Sequence, residues 1–213
     1  MFFEPPPPHE EAASPPKPGL PAWSAPPAEE MGALMVSGLV LARVPNVVIT
    51  VPTIRAFKTG CLMDVEIVMR RLTMSPDDFQ ALSLSVYPHM VAGVRAGGLP
   101  DNLLRFGVRF ADGTKATTVG QRLDRPQIPQ DPPSGPRLSW LFGGMSMRSG
   151  DEDAGVTVVG LWLWPLPPPE TFELAVEWPA GGVGLSIVEL DGSAIAAAAQ
   201  RSVPYWPDST PSE

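Results

Sequence analysis

Apolar and polar side chains alternate with a period of two, not 3.6, through much of this chain. In 61–71, Met63, Val65, Ile67 and Met69 fall on one side, and Asp64, Glu66, Val68 and Arg70 on the other. In 103–110, Leu104, Phe106, Val108 and Phe110 alternate with Arg105, Gly107 and Arg109. In 171–178, Phe172, Leu174, Val176 and Trp178 alternate with Thr171, Glu173, Ala175 and Glu177. Successive side chains of a strand point to opposite faces, so each segment predicts a strand with one dry and one wet face, as in antiparallel sheets packed on one side. The run 156–164 is apolar on both faces and predicts a more central strand, and 138–147 carries a weaker strand pattern. The segment 47–57 is rich in β-branched residues, but Pro52 cannot donate to a ladder and predicts an edge position or a bulge.

The punctuation between these runs fits strands. Asp112-Gly113 is a hairpin signal, 58–61 reads as a tight turn, 149–155 as a polar loop, and 124–136 as a long proline-rich connection. Helix is scarce. The alanine-rich 193–201, with Asp191 or Ser193 as cap, predicts one short C-terminal helix, and 75–84 predicts a short helical turn. The expectation is a mainly β protein, an antiparallel β-sandwich of immunoglobulin-like or jelly-roll-like type, with a barrel as the alternative. Tyr205 and Trp206 are expected to pin the chain end back on that body.

Composition sets the boundaries. Of 213 residues, 28 are proline, more than twice the usual share of about 5%. Ten of these prolines lie in 1–32, which has almost no aliphatic side chains and so cannot offset its ordering entropy. Residues 1–32 are therefore expected to be a disordered proline-rich tail, 33–206 a single domain, and 207–213 a disordered C-terminus. The apolar run 31–42 follows Glu29 and Glu30, is too short to span a membrane, and reads as the entry to the fold. No secretory signal is visible and Cys61 is the sole cysteine, so a cytoplasmic location is expected.

Charge narrows the partners. The net charge is −8 and the 15 basic residues are scattered, which argues against nucleic acid and against anionic membrane surfaces. Metal and nucleophile signals are thin. His9 and His89 are the only histidines, 150–155 is a carboxylate cluster without a calcium-loop pattern, and neither a phosphate-cradling glycine loop nor a nucleophile elbow is present. No cofactor and no metal are expected. Asp64, Glu66, Glu173 and Glu177 would form an acidic patch if their two strands were neighbours. Trp162 and Trp164 share one strand face, with Leu161 and Leu163 on the other, and Pro167, Pro168 and Pro169 follow in a loop. These five, Trp162, Trp164, Pro167, Pro168 and Pro169, are the candidate binding residues, weighed against a core role for the tryptophans and a rigid inter-strand loop for the prolines.

The segments "LRFGVRFADGTKATTVG", "LWLWPLPPPETFELAVEWP" and "VELDGSAIAAAAQRSVPYWP" together resemble a family of uncharacterised proteins from high-GC Gram-positive bacteria, over roughly residues 38 to 207. The resemblance implies no activity. The expectation from the residues is a non-catalytic protein-interaction or structural module with a protein partner. A small-ligand or carbohydrate binder, or a hydrolase using face carboxylates and tryptophans, is one alternative, and a subunit of a larger assembly is another.

Overall fold

The computed structural model describes residues 20–87, 102–120, 131–149 and 153–206. The strands are β1 (Glu30–Met31), β2 (Ala33–Arg43), β3 (Val47–Phe57), β4 (Gly60–Arg70), β5 (Arg105–Arg109), β6 (Lys115–Thr117), β7 (Arg137–Ser149), β8 (Ala154–Trp164), β9 (Thr171–Trp178), β10 (Val183–Asp191) and β11 (Val203–Pro204). Helix α1 (Pro76–Ser85) lies between β4 and β5, and α2 (Gly192–Ala199) follows β10. The architecture is mainly β, in three antiparallel sheets: β2-β3-β4-β8-β7, β10-β9-β5-β6, and the short ribbon β1-β11.

The two larger sheets share one core. From the first come Ile49, Val51, Met63, Val65, Ile67, Leu161 and Leu163; from the second, Phe106, Val108, Phe172, Leu174, Val176 and Trp178. Those from β4, β5 and β9 are the dry-face residues of the period-two pattern. The sheets also approach at both lateral edges. β6 lies beside β7, and β10 beside β2, where the Ser186 hydroxyl donates to the Leu41 carbonyl at 2.6 Å.

Local chemistry explains the elements. β3 is an interior strand, and Pro52 sits where its register shifts against both β2 and β4, so the proline marks a bulge, not an edge. On the β2 side that shift spans Ser37 and Gly38, and Gly38 has φ of +62°, a conformation that favours glycine. The segment 31–42, expected as an entry to the fold, is mostly β2, an eleven-residue strand at the end of the five-stranded sheet. Two helices are present, and α1 stands where a short helical turn was expected over 75–84. Helix α1 starts at Ser75, whose Oγ accepts from Asp78 N at 3.1 Å, and its Ser85 Oγ accepts the buried Trp178 indole proton at 3.2 Å. Asp191 caps α2 by accepting from Ser193 N and Ala194 N, and Ile195, Ala198 and Ala199 turn into the core.

Residues 20–31 fall within the expected tail, yet they lie on the body. Trp23 is buried, with the Arg137 guanidinium 4.7 Å from its ring centre. At the other end, Tyr205 N donates to Glu29 O at 2.9 Å beside the β1-β11 ribbon. The rings of Tyr205 and Trp206 are exposed, so backbone pairing, not aromatic burial, holds this end of the fold. Residues 1–19 and 207–213, which include the proline run at 5–8 and His9, lie outside the described residues, as do His89, 124–130 and 150–152.

Candidate functional site

The aromatic and proline block is built into the scaffold. Leu161 and Leu163 enter the main core, whereas Trp162, on the opposite face of β8, forms a satellite cluster with Phe57 and Leu62. Phe57 meets Trp162 edge to face, with ring centres 5.6 Å apart. Gly60 fits beneath: a Cβ there would sit 2.7 Å from the Trp162 ring. The roof comes from far away in sequence. Ala22 O accepts the Trp162 indole proton at 3.0 Å, and Trp162 is 0% exposed. Trp164 is half-buried against the same cluster.

The prolines brace a helix. Pro167 is buried, while Pro168 and Pro169 are exposed. Pro169 O accepts from Ser193 Oγ at 2.7 Å, and Glu170 O accepts from Gly192 N at 3.1 Å, which fixes the start of α2 against the loop. Gly192 leaves no room for a side chain there, because a Cβ would collide with the Pro168 and Glu170 carbonyls. The five candidate residues thus divide: the two tryptophans pack on the outer face of β8, and the prolines support α2 from the β8–β9 loop.

The condition for an acidic patch, neighbouring strands, is not met. Asp64 and Glu66 lie on β4 and Glu173 and Glu177 on β9, in different sheets. Three of the four are held by neighbouring strands. Asp64 accepts from Thr53 Oγ1 at 2.8 Å and from Arg55 at 3.2 Å. Glu177 pairs with Arg105 directly opposite it, at 2.7 Å. Glu173 receives Arg109 through two bonds of 2.6 Å each. The Arg109 hydrogen bonds hold the Glu173 carboxyl below its usual range and raise the guanidinium in turn. Glu173, held ionised by Arg109, is a poor proton donor near neutral pH.

Other reactive groups are equally committed. Burial pushes the Cys61 thiol up to about 12, so it packs as a small apolar group and not as a thiolate. Asp153, at the described end of the acidic loop, accepts from Arg71 Nε at 2.6 Å. Among the described residues no group of three or more His, Cys, Asp or Glu is placed to hold a metal ion, and no helix is long and apolar enough to cross a membrane.

A surface that sequence reasoning missed lies at the β2–β10 corner. Leu34, Val36 and Val40 point outward from β2, with Val36 86% exposed. Leu185 and Ile187 do the same from β10, with Leu185 65% exposed. The Ser186–Leu41 bond brings Leu185 and Ile187 of β10 beside the Leu41 end of β2, next in sequence to Val40, whereas Leu34 and Val36 lie further along β2, opposite Arg55 and Thr53 of β3. No charged residue occurs in 33–42 or in 183–188. The signal was present in 31–42 as an apolar run with no polar face, which an interior strand or a contact strand can each carry. No protein-family model and no curated protein matches the chain.

Proposed function

We propose that the protein is a non-catalytic interaction module, a cytoplasmic β-sandwich closed at both lateral edges, whose contact surface for another protein chain is the aliphatic face on β2 and β10. The observation that carries this is the exposure of Leu34, Val36, Val40, Leu185 and Ile187 on adjoining strands. Single exposed aliphatics are ordinary on protein surfaces, but several on neighbouring strands favour a docking surface. Support also comes from the chemistry already described: the carboxylates of β9 are locked to arginines and Trp162 is roofed, whereas sugar recognition needs an open aromatic face.

A photo-crosslinking residue placed at position 36 tests this, with the same residue at position 115, on the charged outer face of β6, as the control. The expected outcome is a protein adduct, in cells expressing the full chain, at position 36 and not at 115. Absence of adduct at 36, or equal adducts at both, would remove this face as a contact surface.

A further inference from the structure

We propose that residues 20–31 are a strap that opens as one unit while both large sheets stay folded, and that each opening bares the Trp162 indole and releases β11 together with the strap. The proposal goes beyond the contact role given to β2 and β10 and does not depend on it.

The sheet under the strap is complete without it. Leu62 stands opposite Trp162, and Trp162 opposite Ser139, so β8 is paired on both sides there. Residues 20–31 add no strand to either large sheet. They are held by separate contacts instead. Ala22 O accepts from Trp162 Nε1 at 3.0 Å, the Trp23 ring centre lies 4.7 Å from the Arg137 guanidinium, and the Glu30 carboxylate accepts from Lys58 N at 3.0 Å. Glu29 O accepts from Tyr205 N at 2.9 Å, and β1 pairs with β11 over two residues. Gly32 closes the series: a Cβ there would collide with the Phe57 ring, so the chain runs tight against the sheet as it enters β2. That is the fixed end from which the strap can lift.

Two features make it one unit. The turn that carries Trp23 has its own bonds, because Ser24 N and Ser24 Oγ both donate to Pro21 O at 2.8 Å. Lifting leaves these intact. In addition, β11 pairs with no strand but β1 among the described residues, so when β1 leaves, β11 loses its ladder and Tyr205 N its acceptor.

The balance at Trp23 keeps the cost of opening low. Its ring is buried, which holds the strap down, yet its Nε1 is buried without a hydrogen-bond partner among the described residues. A buried donor without a partner works against the state that buries it, and opening returns this one to water. Water also replaces Ala22 O on the Trp162 indole, so opening strands neither indole. Elements with few buried contacts and no place in a large ladder supply the low-energy local openings of a fold.

The test is hydrogen exchange of the full chain, followed by NMR at the Trp162 indole proton, the Lys58 amide and the Tyr205 amide, each bonded to the strap. The three are expected to share one protection factor within about threefold, at least about a hundredfold below that of the slowest β4 and β8 amides and nearly independent of low urea. Trp23→Ala is expected to lower all three by at least about tenfold and to leave those β4 and β8 amides unchanged. Protection at the three sites equal to that of the slowest sheet amides would overturn the strap, because the segment would then open only with the whole fold. A wider spread among the three, or a Trp23→Ala response confined to Trp162, would overturn the single unit.

Discussion

The outer face of β5 and β9 and the corner formed by β2 and β10 are both exposed strand surfaces, yet they are composed in opposite ways. Across the first, Arg109 stands opposite Glu173 and Arg105 opposite Glu177, with Lys115 and Glu189 extending the Arg109 row on either side. Such cross-strand pairs satisfy one another and leave a face that repels hydrophobic partners. Across the second, Leu34, Val36, Val40, Leu185 and Ile187 are exposed aliphatics, with charge only at the margins, where Arg55 stands opposite Leu34 and Glu189 follows Ile187. The change happens within β10: Ile187 sits opposite Ala175, and two residues later Glu189 sits opposite Glu173. One strand therefore serves a solvated surface at one end and a contact surface at the other, and the difference is set by side chains alone because the backbone ladder is continuous there.

The largest effect is expected from moving charge to the wrong side of the charged sheet. Leu174 lies on β9 between Glu173 and Ala175 but faces the core. Leu174→Asp places an unpaired carboxylate in that core, and a loss of more than about 4 kcal/mol is expected, enough to abolish the cooperative urea transition. Retained native circular dichroism in this variant would mean that the two sheets do not share the packed interior described. By contrast, Val36→Asp, on the open aliphatic face, is expected to change stability by less than about 0.5 kcal/mol.

Next in size is the roofed aromatic cluster. Trp162→Ala removes the ring that Phe57, Gly60 and Ala22 enclose, and a loss of about 3–5 kcal/mol is expected in urea melts. A loss below about 1 kcal/mol would indicate that residues 20–31 do not cover this ring in solution. Cys61 reports the opening of the interior. The thiol's folded pKa, about 12, lies above the ordinary 9.0, so its contribution to stability is full below pH 9.0 and is lost as pH rises toward 12. Alkylation by iodoacetamide at pH 8 is expected to be slow in the folded chain and fast once urea unfolds it; equal rates would contradict the burial.

Much of this was legible in the sequence, and the remainder has identifiable causes. The dry faces of β4, β5 and β9 follow from period-two alternation, the turn at Asp112 from an Asp-Gly pair whose glycine has φ of +85°, and the α2 cap from Asp191. β2 was not legible because both its faces are apolar, so the period that marks a half-buried strand is absent. β10 carries a register shift between Val183 and Ser186 that breaks its alternation. The pairings of β4 with β8 and of β5 with β9 join segments far apart in the chain, which local pattern does not encode. For the same reason the roof over Trp162 was hidden: Ala22 lies 140 residues away. The carboxylates were correctly placed on wet faces, but their arginine partners depend on that same long-range register.

The smallest effect sharpens the comparison from the charged side. Because the Arg109 hydrogen bonds lower the Glu173 pKa in the fold, this pair stabilises the folded state fully above the ordinary glutamate range. The contribution is lost as pH falls through the lower, folded value, where the unfolded chain is already protonated and the folded one becomes so. Glu173→Gln is therefore expected to lower the urea midpoint slightly near neutral pH, and the gap from the unaltered chain should close on acidification to about pH 3. Salt at about 1 M should shrink the same gap at neutral pH, because both partners are solvent-exposed. Val36→Lys should show no such dependence on acid, since no carboxylate stands beside it on β2. If Glu173→Gln and the unaltered chain keep a constant difference from neutral to acid pH, the two residues pair by packing and not by charge, and the contrast between the two surfaces would rest on shape alone.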